Sequence, residues 1–219
     1  MKAPPPQPGK VENPFSARFV RPGAIPYIFP EGHSPETVFA LFCDHRRNGA
    51  VVGPHGVGKS ALLAALREYL AEKNEPFLHM ELHNGQRSLR PEDRSRMESL
   101  WEGTVLMDGY EQLHSWSRYQ VRRLCKRRKL GLLVTAHSAV ELPVIFTPEP
   151  SCDLAWRIVE YLLQKGEPLI AREDVDACFS RHAGNLREML FELYDLYEIR
   201  LHPPGKPRIG GAKQGRPRK

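Results

Sequence analysis

Between residues 34 and 147, short apolar runs alternate with longer stretches whose apolar residues recur every three or four positions. The runs Ala50–Val52, Pro76–Leu82, Thr104–Asp108, Leu132–Thr135 and Val144–Phe146 have the length and composition of buried strands. The stretch from Ser34 to about Arg46 opens with a capping serine and a first-turn proline. It would bury Val38, Leu41 and Phe42. Residues 60–73 carry Leu62, Leu63, Leu66 and Leu70 on one helical face. Pro91–Trp101 and Ser117–Lys129 read as two further helices. Strands alternating with helices predict an α/β domain with a parallel sheet. After Cys152 the strands stop, and 152–165, 172–182 and 185–201 read as three helices of a small all-helical appendage. At the other end, 14–30 mixes Phe15, Phe19, Tyr27 and Phe29 with Pro and Gly. This is too broken for a long helix and too apolar for a free linker, so an ordered arm is expected there. Residues 1–13 and 203–219 are Pro/Gly-rich or basic and are expected to be disordered. The expected layout is a disordered stretch over 1–13, a core with its arm over 14–150, a helical unit over 151–202 and a basic tail over 203–219.

Composition changes this picture little, and charge changes it at one place. In 219 residues, 41% are hydrophobic and 26% charged, which suits a globular core. No run approaches the length of a membrane span, and the N-terminus lacks the apolar segment of a secretory signal. Cys43, Cys125, Cys152 and Cys178 are scattered with no metal-ligand spacing, which predicts reduced thiols in a cytoplasmic protein. The net charge of +6 resides in the tail: Lys206, Arg208, Lys213, Arg216, Arg218 and Lys219 stand there without an acid. Without these six, 26 basic residues face 26 acidic ones. A second basic cluster, Arg122 to Lys129, lies within the 117–129 helix, and no aromatic stacking surface is expected beside it.

The sharpest chemical signal is Gly53, Pro54, His55, Gly56, Val57, Gly58, Lys59 and Ser60, with Ala61 following. Glycines at these spacings let backbone N–H groups approach phosphates unobstructed. The helix opening at Lys59 adds the positive end of its dipole. Lys59 supplies a point charge for the β- and γ-phosphates, and Ser60 a hydroxyl for Mg²⁺. A strand before the loop and an amphipathic helix after it are the context this chemistry needs. The expected ligands are ATP and Mg²⁺ in a three-layer P-loop NTPase core.

Three further positions fit around the loop. Asp108 ends a buried apolar strand, where an acid is costly unless paired, and Mg²⁺ is the expected partner. Thr135 ends the next strand and is expected beside the γ-phosphate, with His137 as the secondary candidate. Asn185 and Arg187 open the last helix, and Arg187 could point back at a phosphate.

Together these residues resemble the AAA+ branch of P-loop ATPases over about residues 30–200. Gly53–Ser60 is similar to Walker A, Leu106–Asp108 to Walker B, Thr135 to sensor 1, and Gly184–Arg187 to sensor 2. The three terminal helices are similar to the lid. The resemblance implies ATP hydrolysis that drives or gates a movement between core and lid. Two departures stand out. The family places a Glu beside the Walker B Asp to polarise water. Here Gly109 follows Asp108, and Glu111 is the nearest acid that could take that role. The family also supplies an arginine finger ahead of the last core strand, but Ser138–Pro143 contains no Arg or Lys. Arg122, Arg123, Arg127 and Arg128 are alternative sources, read primarily as a solvated helix face. Slow turnover is therefore expected, and the alternative is a slow or non-hydrolysing ATP-dependent switch that binds a protein or DNA. A small-molecule kinase fits less well, because only the scattered Arg157, Arg172 and Arg181 lie between the last strand and the Gly184–Arg187 motif. Gln214–Lys219 resembles half of an AT-hook. This makes DNA a candidate partner through Lys213, Arg216, Arg218 and Lys219.

Overall fold

The computed structural model describes residues 12–83, 85–164 and 166–203. At its centre, β1 (Asn48–Val52), β2 (Phe77–Glu81), β3 (Thr104–Asp108), β4 (Gly131–Ala136) and β5 (Val144–Phe146) form one sheet in the order β2-β3-β4-β1-β5. Every pairing is parallel. All strands therefore end on one edge, the place where open α/β sheets hold ligands. The register sets Met107 opposite Val134 and Val52 opposite Ala136, bringing the ends of β3, β4 and β1 level.

The strands read as continuous apolar runs because both faces of the sheet are covered. Within β3 and β4, alternate residues point to opposite sides. Leu106 and Leu133 join Val38 and Phe42 of α2 (Pro35–Asp44) and Leu62, Leu63, Leu66 and Leu70 of α3 (Lys59–Glu72). Val105, Met107, Leu132 and Val134 join Met97 of α4 (Pro91–Ser99) and Val121, Leu124 and Cys125 of α5 (Ser115–Arg128). The start of α2 is as expected, with Ser34 and Thr37 exchanging a reciprocal capping box. Helix α5 begins two residues before the expected Ser117. The imidazole of His114 caps it, its Nδ1 accepting from Ser117 N at 3.1 Å.

Helices α6 (Cys152–Leu163), α7 (Arg172–Arg181) and α8 (Leu186–Leu201) build a separate apolar cluster around Val159, Leu162, Val175, Met189, Leu193 and Tyr197. The arm, with its single turn α1 (Ala17–Val20), does not lie on the α/β core alone. Phe15, Phe19, Val20 and Ile25 pack into the helical cluster, while Tyr27 and Phe29 pack on the α2–α3 side of the sheet. Order also begins earlier than residue 14. Asn13 is buried and donates through Nδ2 to Tyr194 O (3.0 Å) and Glu198 Oε1 (2.9 Å). An amide side chain satisfied by a helix cannot belong to a loose terminus, so the boundary expected after 13 falls inside an ordered contact. No helix among the described residues is long and apolar enough to cross a membrane.

Candidate nucleotide-binding site

The loop leaving β1 turns at Gly56 (φ +75°) and Gly58 (φ +100°), a region open to glycine and strained for other residues. Gly58 then caps α3, which begins at Lys59. Gly56 is needed for a second reason: a Cβ there would meet Asn185 Oδ1 at 1.7 Å. Asn185 caps α8, accepting from Arg187 N (3.1 Å) and Glu188 N (3.2 Å), and Leu186 N donates to Gly56 O at 3.1 Å. The phosphate-type loop and the start of the last helix are thus in direct contact.

A cleft of about 750 Å³ opens at this edge of the sheet. Its wall brings together His55 to Ala61, Asp108, Glu111, Thr135, His137 and Arg187. Residues from four separate parts of the chain therefore line one cleft. Gly53 and Pro54 sit behind them. Their carbonyls accept from Lys59 Nζ at 2.6 Å each. Lys59 is 8% exposed. Burial pushes its ammonium below the usual lysine range, opposed by Glu111 and Asp108 and aided by Arg187.

Thr135 is buried, and its hydroxyl is already engaged. It donates to Asp108 Oδ1 and accepts from Gly109 N at 2.9 Å. The acid expected to serve a cation is thereby fixed by the residue expected to sense phosphate. Among the described residues no group of three or more His, Cys, Asp or Glu could hold a metal by itself. Mg²⁺ does not require one, because it is commonly bound through one or two protein oxygens together with substrate phosphates and water. Ser60 and Asp108 fit that donor set.

The turn after β3 explains how an acid three positions past Asp108 enters the site. Gly109 adopts φ +78°, and Tyr110–Gln112 form one 3₁₀ turn that carries Glu111 into the cleft. Glu111 Oε1 lies 3.0 Å from His137 Nδ1, and its Oε2 is buried with no hydrogen-bond partner among the described residues. Burial holds the His137 imidazole below its ordinary range, with Lys59 and His55 adding to the effect against Glu111 and Asp108. A neutral imidazole donating from Nδ1 to the carboxylate fits that direction. His55 lies against His137, with ring centroids 3.5 Å apart.

Three features went unread in the sequence: the His55–His137–Glu111 chain, Asn185 against Gly56, and Tyr27. Tyr27 from the arm lies beside Gly58, whose added Cβ would sit 3.6 Å from its ring, and burial raises its phenol to about 12. Aromatics interleaved with Pro and Gly signalled an ordered arm, but not which loop it would reach.

No family model and no curated protein matches the chain. Solved structures do. A DNA replication initiation factor superposes with a TM-score of 0.56 at 14% identity, over 80% of this chain and 63% of that one. DnaA from Aquifex aeolicus bound to AMPPCP gives 0.55 at 14% identity, over 79% and 64%. Domain III of the Thermotoga maritima replication initiation protein DnaA gives 0.53 at 14% identity, over 78% and 86%. The chain shares their fold, an α/β P-loop core on a five-stranded parallel sheet. It spans just under two thirds of the length of the first two of these neighbours. At this identity the likeness concerns the fold alone.

Proposed function

We propose that this chain binds ATP with Mg²⁺ and hydrolyses it slowly, coupling the phosphates to the contact between core and helical lid. One observation carries this reading: His55 to Ala61 of the loop, Asp108, Glu111, Thr135 and Arg187 converge on one cleft at the strand ends. The AMPPCP-bound neighbour of the same fold is consistent with it. Backbone N–H groups of Gly56–Ser60 and the start of α3 would cradle the phosphates. Lys59 would exchange its two carbonyl partners for phosphate oxygens. Ser60 and Asp108 would hold Mg²⁺, which supplies neutralisation of the developing phosphate charge. Thr135 fixes Asp108 and stands beside the γ-phosphate position. Glu111 would accept the proton of the attacking water, with His137 orienting its carboxylate through Oε1. Arg187 adds positive charge from the lid.

Turnover is slow because the site is incomplete in one respect. Ser138–Pro143 carries no cation, and its Glu141 instead engages Arg118 (3.6 Å) and Arg122 (4.0 Å). An arginine finger is worth ~10³–10⁵ in rate. The same observation favours the second reading, a switch that binds ATP and a protein or DNA partner with negligible hydrolysis. The basic tail with Lys213, Arg216, Arg218 and Lys219, proposed as a DNA contact, lies outside the described residues. A neighbour solved with AMPPCP and single-stranded DNA shares the fold.

The test is binding of a fluorescent ATP analogue and ATPase rate for wild type, Lys59→Ala, Glu111→Gln and Arg187→Ala. Lys59→Ala should lose binding by at least tenfold, and equal binding would sink the reading. Glu111→Gln should bind like wild type but turn over at least roughly 10²-fold more slowly. No detectable turnover in wild type, with binding intact, would select the switch.

A further inference from the structure

We propose that the exposed face of α5 docks single-stranded nucleic acid. Trp116 and Tyr119 would form the base-stacking platform, and Arg123 and Lys126 the phosphate contacts. The sequence pattern starts this helix at Ser117 and predicts no aromatic stacking surface beside its basic cluster. The structure turns Trp116 and Tyr119 outward. Trp116 is 61% and Tyr119 44% exposed, and their rings stack at 5.4 Å with 24° between planes. The core-facing residues of α5 are Ser117, Val121, Leu124 and Cys125. Positions 116, 119, 123 and 126 follow helical spacing along the opposite side. Near the C-terminal end of the helix, the Arg128 guanidinium lies over the exposed ring of Trp101 at 5.1 Å.

Charge selects the partner. Helix α5 contains six basic residues and no acid. Arg118 and Arg122 pair with Glu141, Arg127 lies 3.9 Å from Glu98, and Arg128 donates to the carbonyls of Glu98 and Leu100. Arg123 and Lys126 are exposed and form no ion pair among the described residues. Two solvent-facing rings flanked by two uncompensated cations match unpaired bases joined by phosphates. Base faces stack on aromatic rings with little sequence preference, while the backbone supplies the negative charge. A duplex keeps its base faces stacked on each other and would meet only the cations. This inference does not depend on the ATP reading.

The probe is a fluorescein-labelled 20-mer of dT, read by anisotropy with the full chain and no nucleotide, against a duplex of equal length. The double variant Trp116→Ala/Tyr119→Ala should weaken dT binding by roughly 10–100-fold and leave duplex binding unchanged. Trp116→Phe/Tyr119→Phe, which keeps two ring faces, should retain most of it. Arg123→Gln/Lys126→Gln should flatten the salt dependence, log K against log salt, by about 1.4. A parallel full-length chain with Lys213, Arg216, Arg218 and Lys219 all changed to Gln separates the tail from the helix. The inference is overturned if the alanine pair binds dT like wild type with its circular dichroism unchanged. It is equally overturned if the tail variant alone abolishes binding, or if wild type ignores dT and instead captures an acidic peptide through Trp116.

Discussion

Glu111 and His137 show what a single turn of chain can do for chemistry. An acid displaced three positions from Asp108 would lie out of reach along an extended strand. The αL conformation of Gly109 and the 3₁₀ turn return it to the cleft, where one carboxylate oxygen meets His137 and the other is buried without a described partner. The imidazole is held below its ordinary pKa, chiefly by burial. Folding therefore favours the neutral ring, and the unfolded chain binds the extra proton first. That contribution is complete above the unfolded value of about 6.5. It is lost as pH falls from there through the lowered folded value. The melting temperature of wild type should decline over this range more steeply than that of His137→Gln, measured by a thermal scan at each pH. Parallel profiles would remove His137 from this role.

At the scale of elements, the arm is the least expected component. Phe15 is 1% exposed and meets Tyr197 of α8 edge-on at 5.8 Å, while Tyr27 lies beside Gly58 of the phosphate-type loop. One stretch of chain thus ties the lid helices to the loop they face, in addition to the Gly56–Leu186 hydrogen bond. Phe15→Ala should cost about 3–5 kcal/mol, the range for emptying a buried aromatic site, measured by urea unfolding. Because the ring belongs to the lid cluster, the loss should appear there first, as faster amide exchange in α6–α8 than in the sheet. Uniform loss of protection over both would show that arm and sheet unfold as one unit.

At the scale of the molecule, two apolar clusters cover the sheet faces and a third fills the space among α6, α7 and α8. The proposed ATP site lies where loop, strand ends, arm and terminal helices converge, so a ligand there would bridge the α/β core and the terminal helices. Saturating ATP with Mg²⁺ should raise the unfolding free energy by about 2.7 kcal/mol at 100 times Kd, seen as an upward shift in melting temperature. Lys59→Ala should show none of this shift at the same concentration. An equal shift in both proteins would place the ligand elsewhere.

Much of this arrangement is written locally. Short apolar runs, helical spacing, a serine cap at Ser34 and the glycine pattern at Gly53–Gly58 each act within a few residues. The parallel sheet, its helices and the loop could therefore be read one segment at a time. Parallel pairing then sends every strand end to one edge, which is why Asp108, Thr135 and Lys59 could be assigned to one site. What the linear pattern left open depends on partners distant along the chain. The approach of Asn185 to Gly56 spans the whole core and lid. Asn13 finds its partner 181 positions away, at Tyr194. The contact of His55 with His137 depends on the spacing of two strand ends, and the outward turn of Trp116 depends on which side of α5 meets the sheet. The sequence alone determined which segments become strands and helices and which loop carries the glycine turns. Only the tertiary structure decided where the arm packs, how Glu111 regains the site and which aromatics remain in water, because those outcomes follow from contacts across the fold.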